Sequence, residues 1–198
     1  PRGSIRGHLE AGAEKVAVTT MIMCVRRLDE SKLDRTMLVY GINHTSYESA
    51  KHNVISATSC TTTALAHMIK PLLETKETSR ILTASMSTVH AATNTQSILD
   101  SIPRSGASDL RKNRSIFNNI ILTSTGAAKA LESILPEIKR VGFMADSVRI
   151  PINTVSLISL NITFHTPLSE RGEPIINQKF LNEVYKKASE GPQKGLLV

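Results

Sequence analysis

The stretch "NVISATSCTTTALAHMIKPLLE", residues 53 to 74, decides the fold because it joins a strand pattern directly to a helix pattern. Residues 53 to 57 are β-prone, and residues 61 to 63 are threonines that suit a helix N-cap. From about Thr62 onward, apolar residues recur at helical spacing: Leu65, Met68, Ile69, Leu72 and Leu73. A strand that runs straight into a helix is typical of a layered α/β sheet. One of the two cysteines, Cys60, lies at this junction.

The sequence before this stretch also alternates between helix and strand patterns. We expect a helix over residues 5 to 13 that closes on Gly12, and a short strand over residues 16 to 20. Residues 26 to 36 are highly charged and are interpreted as a solvated connection. A strand is expected over residues 37 to 40.

The sequence after this stretch predicts a sheet with helices packed on it. Strands are expected over residues 81 to 89, 117 to 122, 142 to 149 and 155 to 164. The apolar pattern of the last strand changes phase, which predicts a bulge or burial on both faces. Helices are expected from "TSTGAAKALESILPE" and around residues 180 to 188, and residues 93 to 115 form one long loop. The fold class is therefore α/β, with a mixed sheet.

Composition limits the classes of function. The chain has 198 residues, of which 40% are hydrophobic and 21% charged, as is typical of a soluble globular protein. No membrane span or leader pattern is found, so neither insertion nor secretion is expected. Two cysteines and no Cys/His pairing at ligand spacing exclude a disulfide framework, predict no metal site, and favour the reducing cytoplasm.

The charge balance favours anionic partners. Lys and Arg total 24 against 17 acidic residues, which gives a net charge of +7. This balance suits nucleic acid or small phosphorylated metabolites, and equally a mildly basic surface with no partner. The chain has no Trp and no interleaving of basic and aromatic residues, so nucleic acid is the weaker interpretation.

Cys60 has a setting that suits a nucleophile. Where a strand ends and a helix begins, free N–H groups and the helix dipole favour the thiolate. The competing interpretation is a buried packing residue, because free cysteine is among the most buried residue types. Cys24 follows an apolar run and is interpreted as packing.

Three further patterns suit chemistry. His90, in "STVHAATN", offers a base at a strand end, although six histidines make a chance candidate easy. "TSTGAAK" is either a phosphate-binding helix start or an ordinary N-cap. Arg149, in "VRIP", is either a surface charge or a phosphate clamp.

Five stretches of the sequence together resemble the signature of a known family. In order they are "SATSCTTT", "STVHAATN", "DLRKNRS", "LTSTGAAKA" and "DSVRIPINTVS". They resemble the signature of the phosphorylating glyceraldehyde-3-phosphate dehydrogenases, whose matching stretches read S-C-T-T-N, T-V-H-A-x-T-N, D-L-R-R-x-R, S-T-G-A-A-K and R-V-P-x-x-N-V-S. The resemblance covers nearly the whole chain.

The resemblance implies specific roles for these residues. Cys60 attacks the aldehyde of glyceraldehyde 3-phosphate, and His90 takes the hydroxyl proton as hydride leaves for NAD or NADP. Inorganic phosphate then releases the thioester as an acyl phosphate. Thr93 and Arg149 lie at the substrate phosphate. The resemblance places a second group around the attacking phosphate: Ser59, Thr61, Arg111, Lys112, Arg114, Thr125 and Gly126. It also implies a homotetramer.

The resemblance implies two unequal parts. Residues 1 to 59 correspond to the last elements of a Rossmann-type dinucleotide-binding domain, and residues 60 to 198 to a catalytic domain that is incomplete at its C-terminus. The chain contains no G-x-G-x-x-G, so its cofactor residues stay unknown. We expect this chain by itself neither to bind a cofactor nor to turn over, and we leave the choice between NAD and NADP open.

The chain departs from the family pattern at three places. Thr63 replaces an Asn, Lys112 replaces an Arg and loses its bidentate fork, and the loop "SIPRSGAS" is longer than usual. These departures keep two alternatives open. One is a dehydrogenase of another sugar-phosphate aldehyde. The other is a non-catalytic homologue that binds protein or nucleic acid through the basic residues of the long loop.

Overall fold

The computed structural model of the protein describes residues 4–20, 35–107 and 109–198. Cys24 and most of the charged connection predicted over residues 26 to 36 lie outside these ranges. The first part contains α1 (Ser4–Glu10), β1 (Val16–Val18), β2 (Arg35–Met37) and β3 (Val54–Ser56). The second part contains α2 (Cys60–Glu74), β4 (Ile81–Ala91), β5 (Ile121–Thr123), α3 (Ala127–Ile134), β6 (Gly142–Ile150), β7 (Ser156–Phe164) and α4 (Gln178–Glu190).

The first sheet is small and parallel. Its strand order is β1-β3-β2, with Val54 paired to both Val16 and Arg35. Val54 is fully buried and packs with Ile5 of α1 in a separate apolar cluster. The central strand, β3, leads directly to α2 and Cys60.

The second sheet is mixed, which confirms the predicted α/β class with a mixed sheet and packed helices. Its order is β5-β6-β4-β7, and β4 pairs in parallel with β6 and antiparallel with β7. Strand β5 closes the other edge, antiparallel to β6.

One face of this second sheet packs against α2 and α3. Because side chains alternate along a strand, β4 presents Ala84, Met86 and Thr88 to the core. The helices contribute Leu65 and Leu131, both fully buried, to the main core cluster. The sheet face that continues toward His90 therefore faces the helices.

Several predicted boundaries are wrong. Strand β2 ends at Met37 rather than running from 37 to 40, because Asn43 takes the Val39 N–H and donates to the Met37 carbonyl. The chain turns there at Gly41, whose φ is +79°. Strand β5 begins at Ile121 rather than 117, after Asn118 adopts a φ of +55°.

The predicted irregularity of the last strand is also wrong. Over residues 156 to 164 the inward positions alternate without interruption, and the pairing with β4 is continuous from Ser156 to Thr163. The one irregularity of this pairing lies on β4, where the register shifts between Ile81 and Thr83. The change of phase comes from Val155, which precedes β7 with a φ of +66°. The opposite side of this strand is exposed, so it is not buried on both faces.

Candidate active site

Cys60 is the first residue of α2 and is exposed. The N-cap is Ser59, whose Oγ accepts a hydrogen bond from the Thr62 N–H at 3.2 Å. The predicted cap at residues 61 to 63 is therefore wrong, and the helix begins two residues earlier than expected. This shift places the Cys60 thiol in the first turn, where the helix dipole favours an anion.

The predicted nucleophile and base lie together. Cys60 Sγ is 3.5 Å from His90 Nε2, within hydrogen-bonding distance for sulfur. His90 lies within β4, which extends to Ala91, and its side chain is on the sheet face that faces the helices. Thr61 Oγ1 lies 3.9 Å from the Cys60 sulfur. The arrangement can transfer a proton between the thiol and the imidazole.

Arg149 and the Ala91 carbonyl both lie within hydrogen-bonding distance of His90 Nδ1. Arg149 and His90 are register partners on β6 and β4, and Arg149 Nη1 lies 2.5 Å from His90 Nδ1. A guanidinium only donates, whereas the Ala91 carbonyl, 2.8 Å from the same Nδ1, only accepts. The contact with the guanidinium needs the ring proton on Nε2, facing Cys60. Arg149 Nη1 also donates to the Ala91 carbonyl at 3.0 Å. In this state His90 donates to the sulfur, which stabilises a thiolate.

Arg149 is half-buried, and its side chain does not use all of its N–H donors in hydrogen bonds. Burial lowers the pKa of its guanidinium, and the nearby charge of Cys60 opposes that shift. Its Nε is buried without a hydrogen-bond partner in the described structure. A buried unpaired donor on a cation is costly, and an anion would satisfy it.

The hydroxyl residues of the predicted site occupy turns. Thr93 is exposed just beyond β4, where its Oγ1 donates to Gln96 Oε1 at 3.1 Å. Thr125 Oγ1 accepts from the Ala127 N–H at 3.2 Å, and Gly126 is the N-cap of α3. Among the described residues no hydrogen bond joins Thr93, Thr125 or Gly126 to Cys60.

The basic loop residues are paired with acids. Asp109 Oδ1 accepts from Arg111 Nε at 2.8 Å, and Lys112 Nζ lies 3.9 Å from the same carboxylate. The Arg111 hydrogen bond holds the pKa of Asp109 below its ordinary value. Arg114 Nη1 lies 3.2 Å from Asp100. Within the described ranges no ion pair or hydrogen bond connects these three basic side chains to the Cys60 and His90 pair.

Two features of the site were missed from the sequence. Thr58, two residues before Cys60, has a φ of +61°, a conformation that a β-branched residue rarely adopts, so its residue type gave no signal. The Arg149 to His90 contact had a weak signal, because both side chains end inward-facing strand patterns. Only the pairing of β4 with β6 brings the two strand ends together.

The described residues contain neither a metal-ligand cluster nor a membrane-spanning helix. Over 4–20, 35–107 and 109–198, no three His, Cys, Asp or Glu side chains are placed to share a metal ion. None of the helices in those ranges has the length and apolar character that crossing a membrane requires.

Comparison with known proteins identifies a family match. Residues 59–197 match the family model described as "Glyceraldehyde 3-phosphate dehydrogenase, C-terminal domain". "Glyceraldehyde-3-phosphate dehydrogenase 1" of Bacillus subtilis (strain 168) is 36% identical over 196 residues, which is 99% of this chain and 51% of the relative. "Glyceraldehyde-3-phosphate dehydrogenase" of Priestia megaterium (strain DSM 319 / IMG 1521) is 38% identical over 196 residues, which is again 99% of this chain and 51% of the relative. The chain thus spans about half the length of the curated relatives it matches.

Proposed function

Because this chain belongs to the glyceraldehyde-3-phosphate dehydrogenase family, we propose that the intact protein oxidises glyceraldehyde 3-phosphate to 1,3-bisphosphoglycerate. The reaction uses inorganic phosphate and NAD or NADP. The observation that supports this proposal most is the 3.5 Å approach of the exposed Cys60 Sγ to His90 Nε2. A thiol at a helix start, beside an imidazole and a half-buried arginine, suits covalent catalysis on a phosphorylated aldehyde.

The first step is attack of the Cys60 thiolate on the aldehyde carbon. Before substrate binds, Arg149 donates to His90 Nδ1, so the Nε2–H of His90 stabilises the thiolate. The carbon–sulfur bond forms as the carbonyl electrons move to oxygen, and protonation from solvent gives the thiohemiacetal. Cys60 then carries the substrate covalently.

The second step needs His90 as a base, which requires a free Nε2. When the substrate phosphate draws Arg149 away from Nδ1, water protonates Nδ1 and removes the proton from Nε2, and the new Nδ1–H donates to the Ala91 carbonyl, 2.8 Å from that nitrogen. Nε2 then accepts the hydroxyl proton while hydride leaves the carbon and the thioester forms. The nicotinamide, when bound, supplies the hydride acceptor. This chain has no G-x-G-x-x-G turn, so we assign none of its residues to the cofactor and derive no step through it.

The two phosphates are assigned to different residues of this chain. Arg149 and Thr93 hold the substrate phosphate, and the unpartnered Arg149 Nε supports this assignment. Ser59, Thr61, Thr125 and Gly126 hold the attacking inorganic phosphate, because hydroxyls and N–H groups at two helix starts suit an anion.

Three basic side chains complete the proposed site for inorganic phosphate: Arg111, Lys112 and Arg114. Their ion pairs with Asp109 and Asp100 have to loosen before they reach the phosphate. We therefore expect them to contribute less than the two helix starts.

The remaining proposals concern the intact protein. Residues 1 to 59 complete a dinucleotide-binding domain and residues 60 to 198 form most of the catalytic domain.

A homotetramer is supported by the outer face of the second sheet, which exposes Leu122 at 52%, Met144 at 74% and Leu157 at 62%. Light scattering that gives a monomer mass would exclude it. The cytoplasm suits the unpaired reactive Cys60, and cell fractionation that finds the protein elsewhere would exclude that location.

Steady-state kinetics of the intact protein test the activity. We expect glyceraldehyde 3-phosphate to give the highest kcat/KM in a panel of phosphorylated aldehydes, with turnover that depends on inorganic phosphate. Cys60→Ser should abolish turnover, and the matched variant Cys24→Ser should retain it. A higher rate on another sugar-phosphate aldehyde, or full turnover by Cys60→Ser, would contradict the proposal.

A further inference from the structure

The turn that immediately precedes Cys60 contains an unusual backbone conformation. Thr58 lies two residues before the cysteine with a φ of +61°, and its side chain is 1% exposed. A β-branched residue in the left-handed region is strained, and such residues persist where the surrounding structure holds them in place. The contacts of Thr58 therefore show what fixes the path of the chain into α2.

Two contacts hold Thr58. Its N–H donates to Ser56 Oγ at 3.1 Å, and Ser56 Oγ in turn donates to the Thr20 carbonyl at 2.6 Å. These bonds fix the turn to the first sheet. On the other side, Thr58 Oγ1 lies 3.1 Å from Thr63 Oγ1.

Thr63 connects this turn to the helix. It lies one turn into α2, and its N–H donates to the Ser59 carbonyl at 2.9 Å. Its hydroxyl reaches back across Ser59 and Cys60 to Thr58, so the cysteine lies inside a closed hydrogen-bonded loop. Thr63 is also the position where this sequence departs from the Asn of the family motif.

The N-cap of α2 does not depend on this pair. Ser59 Oγ accepts the Thr62 N–H and lies 2.8 Å from Thr62 Oγ1. The helix start is thus capped by a second, adjacent set of hydroxyls. Loss of the Thr63 hydroxyl leaves that cap in place, so its effect falls on the turn rather than on the helix.

We propose that Thr63 is a positioning residue that, through its hydroxyl contact with Thr58, holds Cys60 Sγ against His90 Nε2. The inference rests on the proposed role of Cys60 as the nucleophile. The pair acts on the geometry of the thiol and touches neither substrate nor cofactor.

The test uses Thr63→Val in the intact protein, because valine has the shape of threonine without the hydroxyl. We expect alkylation of Cys60 by iodoacetamide at neutral pH to slow about tenfold and its pH–rate profile to move to higher pH. The kcat should fall by a similar factor, while the KM for the aldehyde changes less than twofold. Thr63→Ser, which keeps the hydroxyl, should restore the alkylation rate to within about threefold of the unmodified protein.

A second route keeps the inference testable if Thr63→Val fails to fold. Thr58→Val removes the same contact from the other side and keeps a β-branched side chain, so it should slow alkylation by the same factor. Combining Thr58→Val with Thr63→Val should add no further loss, as expected for two residues that act through one contact. Thr75→Val is the matched control: it removes a hydroxyl bonded to the Pro71 carbonyl at the far end of α2 and should leave alkylation unchanged.

The possible results separate this inference from the proposed function. If Cys60 of the unmodified protein reacts rapidly and Thr63→Val reacts equally fast, the positioning role is wrong and the proposed function stands. Equal slowing by Thr63→Val and Thr63→Ser would also overturn it, because the hydroxyl would then not be the cause. If Cys60 of the unmodified protein reacts no faster than a free thiol, the proposed function itself fails.

Discussion

At the scale of single residues, Arg149 and Cys60 contact the two ring nitrogens of His90. Arg149 lies 2.5 Å from His90 Nδ1, and His90 Nε2 lies 3.5 Å from the sulfur. Because both contacts exist without substrate, we expect the arginine to act on the thiol before any substrate is present. This separates its effect on the nucleophile from its proposed contact with the substrate phosphate.

Arg149→Met tests this effect without substrate. Removing the cation and its donors should slow alkylation of Cys60 at neutral pH by about fivefold to tenfold, because a nearby positive charge favours the reactive thiolate. The rate of iodoacetamide labelling, followed by mass spectrometry, measures the change. Arg140→Met at an exposed position is the control. An unchanged rate in Arg149→Met, or equal slowing in both variants, would show that Arg149 does not act on the thiol.

The sequence predicted the members of the site better than their contacts. Residue type and place at an element end made Cys60, His90 and Arg149 candidates, the family resemblance gave them roles that stay predictions, and the structure places the three side chains together. The tautomer of His90 was not predictable, since it depends on a side chain 59 positions away that only sheet pairing brings close. The strain at Thr58 could not be predicted from the sequence either, because its hydrogen-bond partners impose the backbone conformation and its residue type does not indicate it.

At the scale of elements, α2 carries a buried ionisable group, His67. This residue is 8% exposed, and its Nδ1 is buried without a hydrogen-bond partner in the described structure. Burial lowers the pKa of His67 from its ordinary value of 6.5, although the Tyr40 backbone opposes the shift. The native state therefore resists protonation of this imidazole.

His67→Gln tests the resulting pH dependence of stability. As the pH falls below about 6.5, the unfolded chain binds a proton at His67 and the native state does not, so the free energy of unfolding decreases. The decrease continues until the pH reaches the lowered native pKa. Urea unfolding between pH 5 and 7.5 should show a shallower decrease for His67→Gln, while the exposed control His8→Gln keeps the original slope. Identical slopes for all three proteins would contradict this prediction.

Helix α4 is attached to α2 by a half-buried tyrosine. Tyr185 OH donates to the Met68 carbonyl at 2.8 Å, and burial raises the pKa of Tyr185 to about 12. Tyr185→Phe should lower the free energy of unfolding at pH 7 by about 1 kcal/mol, the typical net value of one hydrogen bond. Because the native pKa is raised, the original protein should also lose stability as the pH rises from 10 toward 12, and Tyr185→Phe should lose less.

Chemical denaturation at pH 7 and pH 10.5 measures both effects. The control is Tyr40→Phe, at a side chain that is 70% exposed. If Tyr185→Phe is as stable as the original protein at pH 7, the contact with Met68 contributes nothing to the packing of α4.

The elements were predictable where apolar spacing alone decides them. The patterns of α2, β4 and α4 predicted these elements nearly to their ends, because each buries one continuous stripe. The short strands were misplaced because single polar side chains set their limits. Asn43 ends β2 by taking the Val39 N–H and donating to Met37, a contact that no apolar periodicity contains.

At the scale of the whole molecule, Cys60 lies where two sheets meet. Strand β3 belongs to the small parallel sheet, and α2 packs on the mixed sheet that carries His90 and Arg149. Cys60 thus follows a strand of one sheet, and His90 lies on a strand of the other. The fold places the thiol at this junction through three residues, Thr58, Ser59 and Cys60.

In the proposed reaction, Cys60 carries the substrate as a thioester. To test this directly, the intact protein is mixed with glyceraldehyde 3-phosphate and NAD, or NADP, in the absence of inorganic phosphate. The reaction is then quenched in acid, and the peptides are analysed by mass spectrometry. We expect a phosphoglyceroyl group on the Cys60 peptide, absent in Cys60→Ser, and its loss when inorganic phosphate is added before the quench. An unmodified Cys60 peptide in protein that turns over when phosphate is present, or the acyl group on Cys24, would contradict the account.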